Sequence, residues 1–124
     1  MVLLERDELT SGTTWHSAAQ CPNLAFNQLL LGLRSYSIDL YRELAQDPDY
    51  PINYHYAVGG LRLITDQQQF DACHHIISVA DGMGVELELI SPELAVVKNP
   101  LLEAHDLLAA LYDPLDGDID VGDL

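Results

Sequence analysis

The sequence predicts a mixed α/β fold, in which helices and strands pack as an α/β or α+β layer. Three observations lead to this prediction. Apolar residues recur at helical spacing across residues 24–45. A second helical segment over residues 66–83 follows a residue suited to cap it. Two strand-like segments, "YHYAVGGLRLIT" and "VELELI", lie between and after these helices.

The first half of the chain is predicted to hold a strand, a loop and a helix. The short apolar run "VLLE" at residues 2–5 favours a buried strand. Residues 7–23 are rich in Ser, Thr, Gly and Asn and contain Pro22, so we expect a loop. The helix over residues 24–45 ends at the prolines of "QDPDYP". Its apolar positions near helical spacing are Leu30, Leu33, Ile38, Leu40, Tyr41 and Leu44.

The second half alternates strands and helices. Residues 54–65 are predicted as a strand that bends at Gly59 and Gly60. Thr65 is the predicted N-cap of the second helix, which ends at Gly82 or Gly84. "VELELI" alternates as a half-buried strand does, and "SPEL" begins a third helix that "NP" ends. "DLLAALYDP" fits a helix or a strand, and "LDGDIDVGDL" is turn-rich.

Composition and net charge limit the classes of partner that the chain is expected to bind. It has 124 residues, one domain's worth at most, and 48% of them are hydrophobic, which is typical of a globular protein. The net charge of −15 disfavours nucleic acid and an anionic membrane as partners. Cys21 and Cys73 form no metal quartet and are expected to be free thiols. No signal peptide is evident, so we expect a cytoplasmic protein, or a mitochondrial matrix protein in a eukaryote.

Glu5 ends the first predicted strand, as an acidic residue ends the second strand of dinucleotide-binding folds. There the carboxylate accepts hydrogen bonds from the adenosine ribose hydroxyls. The glycine fingerprint G-x-G-x-x-G that belongs upstream of it is absent from the 124 residues. An acid at a strand end is common, so Glu5 alone does not identify a cofactor.

The segment "VLLERDELTSGTTWHSAAQ" resembles the flavin loop of the dimethylglycine and sarcosine dehydrogenase family, which is related to D-amino acid oxidase. Further segments resemble the same family in the same order: "SYSIDLYREL", "VGGLRLIT", "GVELELISPE" and "LAALYDPLDGDIDVGDL". The resemblance covers nearly all of the chain. It implies an internal fragment with residues 1–23 from a Rossmann-like FAD-binding domain (second strand and flavin loop) and residues 24–124 from the substrate domain.

The resemblance also implies an activity and a set of cofactor contacts. The parent protein is expected to oxidise a C–N bond of a small N-methylated amine or amino acid with FAD. The resulting iminium is then either hydrolysed, or its one-carbon unit passes to folate through a C-terminal region outside the chain. The implied FAD-binding residues are Glu5, Arg6, Gly12, Thr13, Thr14, Trp15 and His16. No catalytic base is evident. His16 either bonds covalently to the flavin or only packs against it, because "SAAQCPN" follows it where covalent relatives have "AAG".

Two other interpretations remain open. One is another amine or amino-acid oxidase of the same superfamily. The other is a non-catalytic remnant, because a chain without the glycine turn is expected to bind FAD weakly or not at all.

Three local patterns resemble ligand sites but also have simpler explanations. Cys73, His74 and His75 are adjacent on a helix and point apart, so they predict no metal site. The alternating Asp116, Asp118 and Asp120 resemble a calcium loop, but the glycine stands one position late, which favours an Asp-Gly turn. Tyr54 and Tyr56 share a face and could form an aromatic cage for a methylated ammonium, although core packing is the commoner role.

Overall fold

The computed structural model describes residue 2 and residues 4–25, 27–49 and 52–120, and these form a mixture of helices and small sheets, as the sequence predicts. The α-helices are α1 (Gln28–Leu44), α2 (Gln67–Asp81) and α3 (Pro92–Lys98). The strands are β1 (Gln20–Cys21), β2 (Tyr54–His55), β3 (Gly60–Ile64), β4 (Glu88–Ile90), β5 (Ala109–Asp113) and β6 (Gly117–Ile119). A 3₁₀ turn spans Thr14–His16.

Within the described residues, the strands form two antiparallel sheets of three strands each. The first has the order β1-β6-β2 and the second the order β3-β5-β4, so β6 and β5 are the central strands. Tyr54 pairs with Ile119, and six residues further along, Gly60 pairs with Asp113. The pairing of β2 with β6 and the pairing of β3 with β5 therefore have the same register. Together they form one long antiparallel ribbon that runs through both sheets. The Gly59 amide bonds the Asp116 carbonyl at 3.0 Å where the ladder is interrupted.

The predicted strand over residues 54–65 divides into β2 and β3, which lie in different sheets. Ala57 and Gly59 have φ angles of 57° and 82°, and this left-handed backbone cannot continue a strand. Gly59 is therefore a bend, as expected. "VELELI" contributes only β4, and the undecided segment "DLLAALYDP" forms β5.

The expected strand at residues 2–5 is wrong for the residues that the structure describes. Val2, Leu4 and Glu5 belong to no strand, and the Val2 and Leu4 side chains are 82% and 89% exposed. A strand needs a neighbour to satisfy its backbone, and none of the described strands pairs with this segment. Residues 7–23 form turns, as predicted, with one short strand, β1.

Helix α1 begins later than predicted because Asn27 caps it. The Asn27 Oδ1 atom accepts hydrogen bonds from the amides of Leu29 and Leu30 at 2.9 and 3.3 Å. Its buried face is set by Leu31 and Ile38, whereas Leu30, Leu33 and Leu40 of the predicted face are exposed. Apolar residues occur on both sides of this helix, so their spacing could not identify the buried side.

Helix α2 is capped by Asp66 and not by the predicted Thr65. The Asp66 Oδ1 atom accepts a hydrogen bond from the Gln69 amide at 2.8 Å. The Thr65 amide instead donates to the Gln69 side chain at 3.1 Å. Helix α3 begins as predicted, with Ser91 as its cap and a proline in its first turn.

Replacing the cap of α2 tests this correction. We expect Asp66→Ala to lower the free energy of unfolding by about 1 kcal/mol, because the helix loses the acceptor for an otherwise unpaired amide. Thr65→Ala is the matched control and should have almost no effect, since only its backbone is bonded. Urea unfolding of both variants measures the difference. Equal losses would contradict the assignment of Asp66 as the cap.

Among the residues that the structure describes, four small apolar clusters hold the elements together. The largest packs α2 against β3 and β5 around Ile64, Cys73 and Leu111. A second joins α1 to the end of α2 through Leu31 and Ala80. The third packs α1 on the first sheet, and the fourth packs α3 on β4 and β5. No helix in the described part of the chain is long and apolar enough to cross a membrane.

Candidate flavin loop and cleft

The predicted cofactor-binding residues lie in consecutive turns on the surface. The Glu5 Oε1 atom accepts hydrogen bonds from the amides of Arg6 and Asp7 at 2.6 and 3.0 Å. These bonds, first that of Asp7 and then that of Arg6, lower the pKa of the Glu5 carboxyl. Glu5 therefore presents an anionic, fully accessible carboxylate. The Arg6 guanidinium lies 3.3 Å from the Asp7 carboxylate, with both side chains mostly exposed.

Gly12 stands where the backbone is open to approach. A Cβ atom at this position would meet no atom within 4 Å. The chain reaches Gly12 through a turn in which Ser11 donates to the Glu8 carbonyl from its amide at 3.2 Å and from its hydroxyl at 2.7 Å. Thr10 adopts a left-handed φ of 66° in this turn. A planar ligand could therefore contact the Gly12 backbone directly.

His16 ends the 3₁₀ turn with one ring nitrogen engaged. Its Nδ1 atom lies 3.2 Å from the Gly12 carbonyl oxygen, which can only accept a hydrogen bond. In the neutral ring, Nδ1 therefore carries the proton and Nε2 carries the lone pair. The Trp15 ring lies against the His16 ring, with centroids 3.9 Å apart and planes inclined by 36°. Trp15 is 59% exposed, so it can also contact a ligand.

The structure thus brings Gly12, Thr13, Thr14, Trp15 and His16 together in one short turn, with Glu5 and Arg6 at the start of the same loop. The donor and acceptor chemistry fits a flavin nucleotide: an ionised carboxylate, an unobstructed glycine backbone, and an imidazole nitrogen with a lone pair. These residues do not line the cleft described next.

A separate cleft of about 840 Å³ lies beside the loop. It is formed by the segment before α1, the first turns of α1, and the strands β3, β5 and β6. The polar side chains that line it include Arg34, Asp113, Asp116 and Asp118. Sequence reasoning missed this cleft, because its walls come from segments far apart in the chain.

One buried and one partly buried carboxyl group line the cleft. Asp113 is 2% exposed, and burial raises its pKa to about 6, although the Leu115 amide donates to it at 2.9 Å and opposes the shift. Burial also raises the pKa of Asp116, against the hydrogen bond that its Oδ1 accepts from the Asn23 amide at 2.6 Å. The carboxylate form of both groups is therefore disfavoured relative to water.

Asn23, in the segment between β1 and α1, contacts both these carboxyl groups and helix α1. It is completely buried, and its Oδ1 atom accepts a hydrogen bond from the Ser35 hydroxyl at 2.7 Å. The Asn23 side chain is close enough to lower the pKa of Asp113. However, no hydrogen bond of good geometry reaches Asn23 Nδ2 or Asp113 Oδ2. The "DG" turn was the only sequence signal for this cluster.

The three alternating carboxylates of the C-terminal segment each have a different partner. Asp116 bonds Asn23, Asp118 bonds His55 Nδ1, and Asp120 accepts from the Asn53 side chain. They consequently do not converge on one point. Among the residues that the structure describes, no group of three or more His, Cys, Asp or Glu side chains could hold a metal ion.

The tyrosines of the possible aromatic cage share a face, as predicted. The Tyr54 and Tyr56 ring centroids are 6.3 Å apart, and Tyr41 lies 5.7 Å from Tyr54. Tyr54 is buried in the third apolar cluster, and the Arg42 guanidinium lies 4.0 Å from the centre of the Tyr56 ring. The chain's own cation therefore covers Tyr56, and Tyr54 has the packing role.

Comparison with known proteins identifies the family. The model of the family described as FAD dependent oxidoreductase matches residues 1–124. The chain belongs to the FAD dependent oxidoreductase family. The predicted resemblance is thereby confirmed. Human mitochondrial dimethylglycine dehydrogenase is 34% identical over 97% of this chain, and human mitochondrial sarcosine dehydrogenase is 33% identical over 96%.

The chain is also similar to a regulatory subunit and to a protein of known structure. The mouse mitochondrial pyruvate dehydrogenase phosphatase regulatory subunit is 29% identical over the whole chain. The crystal structure of L-proline dehydrogenase from P. horikoshii superposes with a TM-score of 0.82 and 24% identity, covering 90% of this chain and 29% of that one. The chain spans only 13–14% of the length of these three curated relatives.

Proposed function

We propose that this chain forms the flavin loop and part of the substrate domain of a FAD-dependent enzyme that oxidises a C–N bond of a small N-methylated amine. The family match and the likeness to dimethylglycine and sarcosine dehydrogenases support the proposal. The observation that carries it is the loop geometry: Glu5 is ionised and accessible, Gly12 is open, and His16 keeps the lone pair of Nε2 free of the loop.

Each loop residue has a distinct role in this proposal. Glu5 accepts hydrogen bonds from the adenosine ribose, and Arg6 lies beside the adenosine. Gly12, Thr13 and Thr14 allow close approach of the pyrophosphate and the flavin. Trp15 shields the ring system from water. Bound FAD supplies the hydride acceptor for the amine, and the protein positions it.

His16 is the proposed point of covalent attachment. The Gly12 carbonyl fixes the Nδ1–H tautomer, so Nε2 is the nitrogen available for a bond to the 8α carbon of the flavin. The two ring contacts, to Gly12 and to Trp15, also limit rotation of the imidazole. Mass spectrometry of the denatured holoenzyme tests this directly. The new N–C bond would replace one C–H bond of the 8α-methyl group and one imidazole N–H bond, with the two electrons taken up by the flavin ring and passed on to the enzyme's electron acceptor. An increment equal to FAD less two hydrogen atoms is therefore expected on the peptide containing His16, and free flavin in the supernatant would contradict it.

The transfer of a one-carbon unit to folate and the cellular compartment are two further proposals. Both rest on the similarity to known proteins alone. We propose that a one-carbon unit passes from the oxidised amine to folate bound elsewhere in the full-length enzyme. The mitochondrial relatives favour the mitochondrial matrix for a eukaryotic source, and the cytoplasm is the counterpart in a bacterium.

The single tryptophan of the chain gives a direct test of the loop. FAD is expected to quench Trp15 fluorescence saturably but with weak affinity, because the chain contains no G-x-G-x-x-G turn for the pyrophosphate. Glu5→Gln should weaken FAD binding severalfold but leave riboflavin binding unchanged, since riboflavin has no adenosine ribose. Glu8→Gln is the control, with the same charge change in the same loop. A linear quench equal to that of free tryptophan amide would reject the loop as a flavin site.

A test of the substrate class requires the full-length enzyme with FAD bound. Under anaerobic conditions, dimethylglycine or sarcosine should bleach the flavin absorbance, whereas glycine and proline should not. Bleaching by proline or glycine alone would favour another amine or amino-acid oxidase of the same family.

One relative favours a second candidate function. A regulatory subunit matches the whole chain at 29% identity, so the family fold also occurs in a protein named for regulation. A non-catalytic binding role is the alternative. It predicts that the holoenzyme retains its fold but leaves the flavin oxidised with every amine tested.

A further inference from the structure

Two buried polar atoms beside the cleft are complementary to each other. Among the residues that the structure describes, neither Asn23 Nδ2 nor Asp113 Oδ2 has a hydrogen bond of good geometry. The amide nitrogen is a donor, and the carboxylate oxygen is an acceptor when Asp113 is ionised. The Asn23 side chain also lies close enough to Asp113 to lower the pKa of that carboxyl. Each atom is therefore suited to be the partner of the other.

The other hydrogen bonds of these two side chains determine which of their ends face each other. Asn23 Oδ1 accepts from the Ser35 hydroxyl at 2.7 Å, which leaves Nδ2 for Asp113. Asp113 Oδ1 accepts from the Leu115 amide at 2.9 Å, which leaves Oδ2 for Asn23. The backbone amide of Asn23 donates to Asp116 Oδ1 at 2.6 Å and holds the segment in place. This arrangement fits an ionised Asp113, because both of its oxygens then face donors.

A proton on Asp113 Oδ2 changes this arrangement, because the new O–H group and the Asn23 N–H group are both donors. A half-turn of the Asn23 amide removes the conflict, since its oxygen and nitrogen exchange places within the same volume. Asn23 Oδ1 then accepts from Asp113, and Nδ2 donates to the Ser35 hydroxyl oxygen. The Ser35 hydroxyl needs a new acceptor. A helical serine commonly bonds the carbonyl four residues earlier, which here is that of Leu31.

The charges around Asp113 allow its carboxyl to change protonation state close to neutral pH. Burial is the largest cause that raises its pKa to about 6, and the Asp116 carboxylate acts in the same direction. Arg62 of β3 lies on the same face of the sheet as Asp113, and Arg34 of α1 favours the ionised form of Asp116. All four side chains line the cleft. Both forms of Asp113 are therefore populated within about one pH unit of this pKa.

We propose that Asn23 is a two-state switch that transmits the protonation of Asp113 to the Ser35 hydroxyl of helix α1. A proton bound at the wall of the cleft thereby changes the hydrogen bonding of the turn from Leu31 to Ser35. Leu31 is buried and packs against Ala80 at the end of α2, so this turn belongs to the core. The switch uses only side chains within the described fold, and it does not depend on the flavin chemistry above.

The carbonyl of Leu31 gives a selective measurement. Leu-Gly occurs once in the chain, at Leu31 and Gly32. Leucine labelled with carbon-13 at the carbonyl and glycine labelled with nitrogen-15 therefore yield one correlated signal in nuclear magnetic resonance. We expect the Leu31 carbonyl shift to move with pH, with a midpoint near 6, because the Ser35 hydroxyl bonds this carbonyl only when Asp113 is protonated.

Two variants and a matched control separate the switch from a general effect of pH. Ser35→Ala should abolish the movement of the Leu31 signal. Ser37→Ala removes the same hydroxyl from the same helix, but Ser37 bonds the Leu33 carbonyl at 2.9 Å, so the movement should persist. Asp113→Asn places an N–H donor where protonated Asp113 has its O–H. It should therefore hold the Leu31 signal near its low-pH position at every pH.

Either of two results would overturn the proposal. One is a Leu31 signal that stays constant with pH in the wild type, and the other is a signal that moves equally in Ser35→Ala. Circular dichroism shows whether each variant keeps its helices. Asp113→Asn is the independent test if Ser35→Ala does not fold, because a Leu31 signal that still titrates in that variant would contradict the switch as well.

Discussion

Gly60→Ala should destabilise the chain by about 3 kcal/mol, the upper end of the usual cost of overpacking a close contact. Gly60 begins β3, and a Cβ atom there would overlap the Asp116 carboxylate, with the Cγ and Cβ atoms of Asp116 at 2.7 and 3.0 Å. Asp116 cannot move away freely, because its Oδ1 atom holds the Asn23 amide and its carbonyl accepts from Gly59. Urea unfolding gives the free energy change.

Gly32→Ala is the control for this substitution. Gly32 lies inside α1, where an added Cβ would be 3.6 Å from the Met83 Cε atom, an ordinary contact. Alanine favours a helix over glycine by up to about 1 kcal/mol, so this variant should be as stable as the wild type or slightly more stable. If both alanine variants had the same stability, the close packing of Asp116 on Gly60 would be wrong.

Asp113→Asn should flatten the dependence of stability on pH. The pKa of Asp113 is raised from 3.8 to about 6 in the folded chain, so the native state binds this proton more tightly than the unfolded state. The stability that protonated Asp113 contributes is present below the unfolded pKa and is lost as the pH rises through about 6. Between about pH 4 and about pH 7, the wild type should therefore lose roughly 2 kcal/mol more than the variant.

Urea unfolding at both pH values measures this difference between chains. Asparagine keeps an oxygen that can accept the Leu115 amide, so the turn at Asp113 should persist in the variant. Asp106→Asn is the control, because Asp106 is exposed and the charge change is the same. Parallel pH curves for the wild type and Asp113→Asn would show that the Asp113 carboxyl is not buried.

Local patterns in the sequence predicted the elements that depend on local chemistry. Ser91 and the proline after it gave the start of α3, and the glycines after Asp81 gave the end of α2. The predicted cap of α2, Thr65, was wrong by one position, since an Asp side chain can also cap a helix and the extended backbone at Asp66 makes it the cap. The "VLLE" segment has strand composition, but composition cannot supply the neighbouring strand that pairing needs.

The candidate site also has a part that the sequence predicted and a part that it did not. The flavin loop is contiguous in sequence, so the resemblance could point to Glu5, Gly12 and His16 as one group. The hydrogen bond from His16 to the Gly12 carbonyl depends on the 3₁₀ turn and was not predicted. The Asn23 and Asp116 contact joins residues 93 positions apart, and a single sequence contains no periodic signal for such a pair.

The shared register of the two sheets has a consequence for the order of folding. Both central strands, β5 and β6, lie in the last part of the described chain, after every strand that pairs with them. During synthesis, β1, β2, β3 and β4 leave the ribosome before β5 and β6, the described strands that pair with them. Helices α1 and α2 can form early from local contacts, but both sheets must wait for residues 109–119. The nascent chain therefore exposes these strands unpaired until residues 109–119 have left the ribosome, and a chaperone would be of most use during that interval.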